Sequence, residues 1–329
     1  MINRTNNFIR MKILANDGIS PEGVIALEKG GFTVITENVP QDQLIETINK
    51  EDYVGLLVRS ATTARKDLID ACPNLKLIGR GGVGMDNIDV EYARSIGRHV
   101  INTPGASSQS VAEMVMGSLF SLSRSLFHSH RMMPVNGSSE FKVLKKKYGK
   151  GQELKDKTIG IVGFGRIGRS LASYCLGIGM KVVAIDMQSN PIKIPLHING
   201  TADLQVTITP ETKLSEVIGE LDYISLHVPK QANGNAVIGD TEIAKMKDGV
   251  VLVNAARGGV IDEDALLRGL ESGKIRACAL DVYENEPTPR VDLLENEQIA
   301  ATPHIGAATT EAQTRIGLEL AEQIMSLLK

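Results

Sequence analysis

Three stretches in the second half of this 329-residue chain carry charged or imidazole side chains where an apolar run has just ended. VNAARGGVID sets Arg257 after Val250–Val253, ALDVYENEP sets Asp281 and Glu286 after Ala277–Leu280, and ATPHIGA sets His304 in an otherwise apolar turn. A histidine titrates in the range needed to take or return an alcohol proton, and a carboxylate can orient its ring. An arginine can clamp a substrate carboxylate through two hydrogen bonds and polarise the adjacent oxygen. Singly, each of these residues is also what an ordinary turn uses; together they suit hydride transfer from a secondary alcohol that also carries a carboxylate.

A fourth stretch supplies the partner for that chemistry. TIGIVGFGRIGRSLASYCLGIGMKVVAID puts Gly163, Gly165 and Gly168 in the GxGxxG pattern, after an apolar β-run and before a helical pattern, with a second strand ending at Asp186. This is the βαβ setting of a dinucleotide site: a tight turn, close backbone approach to a pyrophosphate, and a helix N-terminus whose free N–H groups face the phosphates. A carboxylate at Asp186 can accept from both ribose hydroxyls and repels a 2′-phosphate. Met187, Gln188, Ser189 and Asn190 offer no cation to receive one, so the expected cofactor is NAD, not NADP.

These groups need strands to hold them. The N-terminal third predicts strands at Lys12–Ala15, Thr33–Thr36, Val54–Arg59, Leu75–Gly79 and His99–Ile101, alternating with helices near Pro21–Lys29, Gln41–Ile48, Lys66–Ala71 and Val90–Ser95. Ser20-Pro21 reads as an N-cap followed by a first-turn proline. A long helix is expected over Ser108–His128, buried on two sides, and then an irregular basic segment, Arg131–Gly151. From Thr158 a second alternation begins, with strands Thr158–Val162, Lys181–Ile185, Tyr223–Leu226, Val250–Asn254, Ala277–Leu280 and Ile299–Ala301, helices Ile167–Leu176 and Glu263–Ser272, and a closing helix Thr310–Leu328. The class is α/β, with two parallel-sheet units. Loops beyond the carboxyl ends of such strands line the ligand crevice, so Arg257, Asp281, Glu286 and His304 are expected to converge on the nicotinamide.

Composition excludes other classes. With 36 Lys and Arg against 39 Asp and Glu, the formal charge is −3 and the pI near 6.1, so no basic field suggests nucleic acid. Cys72, Cys175 and Cys278 lie far apart without a CxxC, which fits a reduced, cytoplasmic setting and not a disulfide framework. No apolar run is long enough for a bilayer, and the first ten residues read as a short disordered extension. The six histidines show no paired ligand spacing beyond His128 and His130, which lie two apart on an expected helix and face apart, so no metal is expected.

In their order, GRGGVGMDNID, NTPGASSQSVAEM, GFGRIG, VNAARGGVIDEDAL, ALDVYENEP and TPHIGAAT make the chain from Met11 onward resemble the D-isomer-specific 2-hydroxyacid dehydrogenase family. The resemblance implies two Rossmann-like or flavodoxin-like domains: residues 1–102 plus 301–329 for substrate, formed by both chain ends, and 103–300 for NAD. It implies His304 and Glu286 as the acid/base pair and Arg257 as the carboxylate anchor. It further implies that Arg166, Ile167, His227, Val228, Pro229, Ala255, Ala256 and Gly306 line the cofactor with the glycine turn, and that Asp281 partners the carboxamide. A homodimer built around the nucleotide domain and the helix after Ser108 is also implied.

VRSAT at Val58–Thr62 and GAATTEAQTR extend the likeness toward members acting on 3-phosphoglycerate. That substrate has a carboxylate and a phosphate and needs several cations. Arg59 and Arg80, at the ends of apolar runs, are candidates for the phosphate, with Ser60 and the Gly81-Gly82 amides as further donors. The Lys145–Lys147 run is either a solvated face or a further cation across the dimer. Three departures stand out: Ser107 replaces the usual asparagine, residues 128–150 lack the tryptophan common there, and Met187–Lys213 is longer than usual. With the chain ending at Lys329, inhibition through a C-terminal serine-sensing module is not expected. The alternatives are a glyoxylate or hydroxypyruvate reductase using the same three residues, and an NAD-sensing, corepressor-like binding protein.

Overall fold

The computed structural model describes residues 10–197, 199–200, 202 and 204–328; apart from Arg10, the expected N-terminal extension lies outside the described residues. The chain forms two compact units, Met1–Ser107 with Ala307–Lys329, and Ser108–Gly306.

In the first unit β1 (Lys12–Ala15), α1 (Pro21–Lys29), β2 (Thr33–Ile35), α2 (Leu44–Glu51), β3 (Tyr53–Val58), α3 (Lys66–Ala71), β4 (Leu77–Arg80), α4 (Val90–Ser95) and β5 (His99–Asn102) alternate along the chain. The five strands are parallel in the order β2-β1-β3-β4-β5, the flavodoxin-like arrangement. β3 is buried at all six positions, as a central parallel strand must be. The Ser20 hydroxyl caps α1 by accepting from Gly23 N at 3.2 Å, with Pro21 in the first turn. The last helix, Thr310–Leu327, returns from the other chain end. Its Ile316, Leu320 and Ile324 share one core with Ile13, Leu57 and Leu77.

The second unit opens with α5 (Ser108–Arg124), α6 (Leu126–Asn136) and α7 (Phe141–Tyr148). This corrects two expectations. The long helix stops at Arg124 because Ser125 is left-handed, with φ 52°. The segment Arg131–Gly151, expected to be irregular, is mostly helical, and the lysines of α7 lie on an exposed face beside the single buried Leu144.

There follow β6 (Thr158–Val162), α8 (Arg166–Gly177), β7 (Lys181–Ile185), β8 (Ile192–Leu196), β9 (Leu204–Ile208), α9 (Leu214–Val217), β10 (Tyr223–Leu226), α10 (Asp240–Lys245), β11 (Val250–Asn254), α11 (Glu263–Glu271), β12 (Ile275–Leu280), α12 (Val291–Glu295) and β13 (Ile299–Ala301), ahead of α13, the closing helix Thr310–Leu327. Six strands are parallel in the order β13-β12-β11-β10-β6-β7, while β8 and β9 form a separate antiparallel pair within the long Met187–Lys213 stretch. Ala301 pairs with Leu280 in this sheet, so the chain returns to the first unit at Ala307, a few residues later than the expected 301. Leaving β6, the chain passes to β7 on one side and later to β10 on the other. The carboxyl ends of β6 and β10 thus flank a topological switch point, where such sheets bind ligands. No helix among the described residues is long and apolar enough to cross a membrane.

Candidate active site

Strand order decides which loops meet. Along one edge of the six-stranded sheet come, in sequence, the loops after β13 (His304), β12 (Asp281, Glu286), β11 (Arg257), β10 (His227) and β6 (Gly163). Four interstrand steps of roughly 4.8 Å make a row of about 19 Å, a length suited to an extended ligand.

At the β6 end, Gly163 has φ +92°, and a Cβ there would stand 2.5 Å from the His227 carbonyl oxygen, so only glycine lets the two loops touch. A Cβ at Gly168 would collide with the Gly163 carbonyl, which fits its expected role in helix–strand packing. Gly165 is different: a Cβ there would meet nothing within 4 Å, and α8 starts on it without a side-chain cap. Open space before the uncapped N–H groups of a 12-residue helix fits a pyrophosphate, and Arg166 and Ile167 lie in its first turn. Asp186 lies just beyond β7, and its Oδ2 accepts from Phe164 N at 2.7 Å, tying the carboxylate to the glycine turn. The residues present therefore fit NAD.

The next loops carry His227, Val228 and Pro229 after β10, and Ala255, Ala256 and Arg257 after β11. The sequence reading missed what fixes Arg257. Asn254, buried at the end of β11, accepts from Ala256 N at 3.1 Å and donates to the Arg257 carbonyl at 2.9 Å, bracing the turn. Gly258 then passes so close to Tyr283 that a Cβ would collide with its carbonyl, bringing the arginine loop against the stretch leading to Glu286.

His304 Nδ1 and Glu286 Oε2 are 2.7 Å apart, and Glu286 Oε1 accepts from Tyr283 N at 3.0 Å. His304 adopts φ +55°, a conformation a non-glycine residue keeps only when its surroundings impose it. Asp281 imposes it. Oδ1 accepts from Thr302 Oγ1 at 2.6 Å and Ile305 N at 2.8 Å, and Oδ2 accepts from Gly306 N at 2.8 Å. Three bonds to a buried carboxylate thus anchor both sides of His304, and Ser110 Oγ secures the Gly306 carbonyl at 2.8 Å. A carboxylate has about four acceptor sites, so the three bonds that anchor the histidine loop leave Asp281 one for the carboxamide it is expected to partner.

The expected substrate residues lie in the first unit. Val58 and Arg80 are register partners on β3 and β4, so Arg59 and Arg80 stand at neighbouring carboxyl ends. The Arg59 stem packs on Gly81, and the Arg80 guanidinium lies against Gly82, whose φ is +152°. Arg59 and Ser60 border a cavity of about 460 Å³ with Asn16, Thr36 and Asn38. No residue pattern signals the two clamps on this loop. Asp17 accepts from Arg59 N at 2.6 Å and Thr62 N at 3.0 Å, and Asn87 Nδ2 donates to the Arg59 and Thr62 carbonyls at 2.9 and 2.6 Å. Lys147, in the basic run, pairs with Glu297 at 3.2 Å. The three cysteines are buried free thiols; burial pushes Cys72 up to about 11 and Cys175 up to about 12, which makes neither a ready nucleophile.

Residues 116–306 match the family described as D-isomer specific 2-hydroxyacid dehydrogenase, NAD binding domain. The chain is 41% identical over 323 residues to a hydroxypyruvate reductase of Thermotoga maritima, covering 97% of this chain and 99% of that protein. It is 38% identical over 319 residues to a D-3-phosphoglycerate dehydrogenase of Methanocaldococcus jannaschii, covering 97% of this chain but 58% of that longer protein. A crystal structure of NAD+-bound 3-phosphoglycerate dehydrogenase from Entamoeba histolytica superposes with a TM-score of 0.75 at 31% identity, over 97% of this chain and 95% of that one.

Burial pushes the His227 imidazole down to about 4, and its one hydrogen bond, 2.9 Å between Nε2 and Ser225 Oγ, holds it against the β10 end. In the unfolded chain it titrates near 6.5, so as pH falls the unfolded state takes the proton first. Stability contributed by neutral His227 is present above about pH 6.5 and is lost toward pH 4, by at most about 1.4 kcal/mol per pH unit. Urea unfolding at pH 7 and pH 5 is expected to show a smaller acid-side loss in His227→Gln than in the wild type; equal losses would contradict this.

Proposed function

The chain belongs to the D-isomer-specific 2-hydroxyacid dehydrogenase family, and on that premise we propose that it interconverts 3-phosphoglycerate and its 2-keto acid, the reaction that feeds serine synthesis. The observation that carries the chemistry is the 2.7 Å contact between His304 Nδ1 and Glu286 Oε2 in the NAD-binding unit. With Nδ1–H donated to Glu286, Nε2 is left with its lone pair to accept the C2 hydroxyl proton. The imidazolium formed as the proton transfers has the Glu286 carboxylate beside it. NAD, held by the glycine turn and Asp186, would supply the hydride acceptor for C2, and NADH the donor in the reverse direction. Arg257, braced by Asn254, takes the substrate carboxylate and draws charge toward the reacting oxygen. The cofactor set is Gly163, Gly165, Gly168, Asp186, the loop from His227 to Pro229, and Ala255-Ala256.

The substrate assignment rests on a separate observation: Arg59 and Arg80 stand at adjacent strand ends in the other unit, and Arg59 borders a cavity there. Arg59 and Arg80, with Ser60 and the Gly81-Gly82 amides, supply the charge and donors a phosphate requires. A second reading, hydroxypyruvate reductase, is favoured by the Thermotoga relative, which is matched over nearly its whole length, whereas the chain spans little more than half of the phosphoglycerate dehydrogenases. We also propose a cytoplasmic homodimer. Phe120, Leu126, Met133, Val135, Phe141 and Val143 are exposed on α5–α7, an apolar surface that a second copy of the chain would cover.

NADH oxidation with 3-phosphohydroxypyruvate, hydroxypyruvate and glyoxylate separates the two readings. A kcat/KM at least tenfold higher for the phosphorylated acid is expected, about 1.4 kcal/mol of transition-state preference. In Arg59→Gln/Arg80→Gln that preference should disappear; no preference in the wild type would instead favour the reductase. For the dimer, Phe120→Glu/Phe141→Glu is expected to sediment as a monomer where the wild type sediments as a dimer. A monomeric wild type would remove the proposal.

A further inference from the structure

A second charged cavity lies at the opposite edge of the six-stranded sheet from the catalytic loops. Its volume is about 300 Å³, and Ser125, His128, Lys147, Lys150, Arg276 and Glu297 line it. Arg276 is the second residue of β12 and Glu297 lies just before β13, whereas Asp281 and His304 follow the far ends of those strands. At about 3.3 Å per residue, the length of β12 puts roughly 15 Å between this cavity and the Asp281 anchor. The function proposed above leaves it unused.

Its charge is unbalanced. Lys147, Lys150 and Arg276 bring three cations to one carboxylate, and that carboxylate, Glu297, is largely exposed and already paired with Lys147 at 3.2 Å. Arg276 Nε is buried and makes no hydrogen bond among the described residues. A buried donor on a charged group costs free energy when left unmade, and cations gathered in a concave site repel one another. An anion in the cavity would relieve the repulsion. A compact oxyanion can accept from the guanidinium, from a lysine and from the Ser125 hydroxyl together.

We infer that this cavity is an oxyanion-binding site, selective for a phosphate dianion either free or as a small monoester, held by Arg276 and Lys150 and separate from the catalytic centre. His128 reports on occupancy. Burial lowers its pKa and the neighbouring Arg131 and Lys147 lower it further, with Glu297 opposing; Lys150 and Arg276 are the other charges in the cavity. An anion among these cations offsets them and raises the pKa of the ring.

The test follows the His128 ring by NMR in the full chain, with His128→Gln assigning its resonance, during titration with inorganic phosphate and separately with glycerol 2-phosphate. A saturable upward shift of the His128 pKa is expected, with at least tenfold weaker binding in Arg276→Gln and in Lys150→Gln. The shift should persist in Arg59→Gln/Arg80→Gln. Response to both ligands supports a site that admits monoesters, and response to inorganic phosphate alone supports a site confined to the free ion. No saturable shift with either ligand overturns the inference. So does a shift unchanged in both Arg276→Gln and Lys150→Gln, or one lost in the Arg59/Arg80 variant. Lys150→Gln, on an exposed side chain, keeps the test decisive should Arg276→Gln fail to fold.

Discussion

Asp281 is buried at the end of a central strand, and a buried carboxylate must satisfy its oxygens or stay neutral. It does so with one hydroxyl and two backbone N–H groups, all from the loop that follows β13. Because Thr302, Ile305 and Gly306 flank His304, this arrangement fixes the loop on both sides of the histidine and leaves it at φ +55°. From there Nδ1 reaches Glu286, and the remaining ring nitrogen is the one available for proton transfer. Without Asp281 the loop would lose three bonds at once, and the histidine would have no reason to keep a strained backbone.

The parallel sheet provides the frame. Each strand ends on the same edge, so a loop's position along the site is set by strand order and not by distance along the chain. His304 and Glu286 are 18 residues apart yet belong to neighbouring strands, and Gly163 touches the His227 carbonyl because β6 neighbours β10. Close approach between loops is bought by glycine, at Gly163 against His227 and at Gly258 against Tyr283.

Much of this was legible from the residues. The β-run, glycine turn, helix and second strand around Asp186 form a local pattern, and so do polar residues stationed after apolar strands. The anchors were not legible, for a physical reason. Asp281 bonds backbone groups 24 and 25 residues away, Asp17 bonds Arg59 N across 42, and no residue type at the receiving end marks the contact. Asn254 sat in view within its motif, but its bonds to Ala256 and Arg257 depend on the turn's shape. Helices α6 and α7 escaped because so few of their residues are buried. No residue of α6 is buried and it holds Pro134, so no apolar period marks it, and in α7 the spacing of Phe141, Leu144 and Tyr148 spans only two turns amid four lysines. The β8–β9 pair escaped for a related reason, since Pro195 interrupts a run that would otherwise read as a strand.

In the proposed reaction His304, held by Glu286, moves the proton. The most direct measurement is kcat for NADH-dependent reduction of hydroxypyruvate by wild type, His304→Gln and Glu286→Gln across pH. Loss of about 10²–10⁴-fold is expected for His304→Gln, the usual contribution of a positioned acid/base group. Glu286→Gln is expected to lose less and to show an altered pH profile. Wild-type kcat and pH dependence in both variants would contradict the account, since the proton would then be moving through some other group.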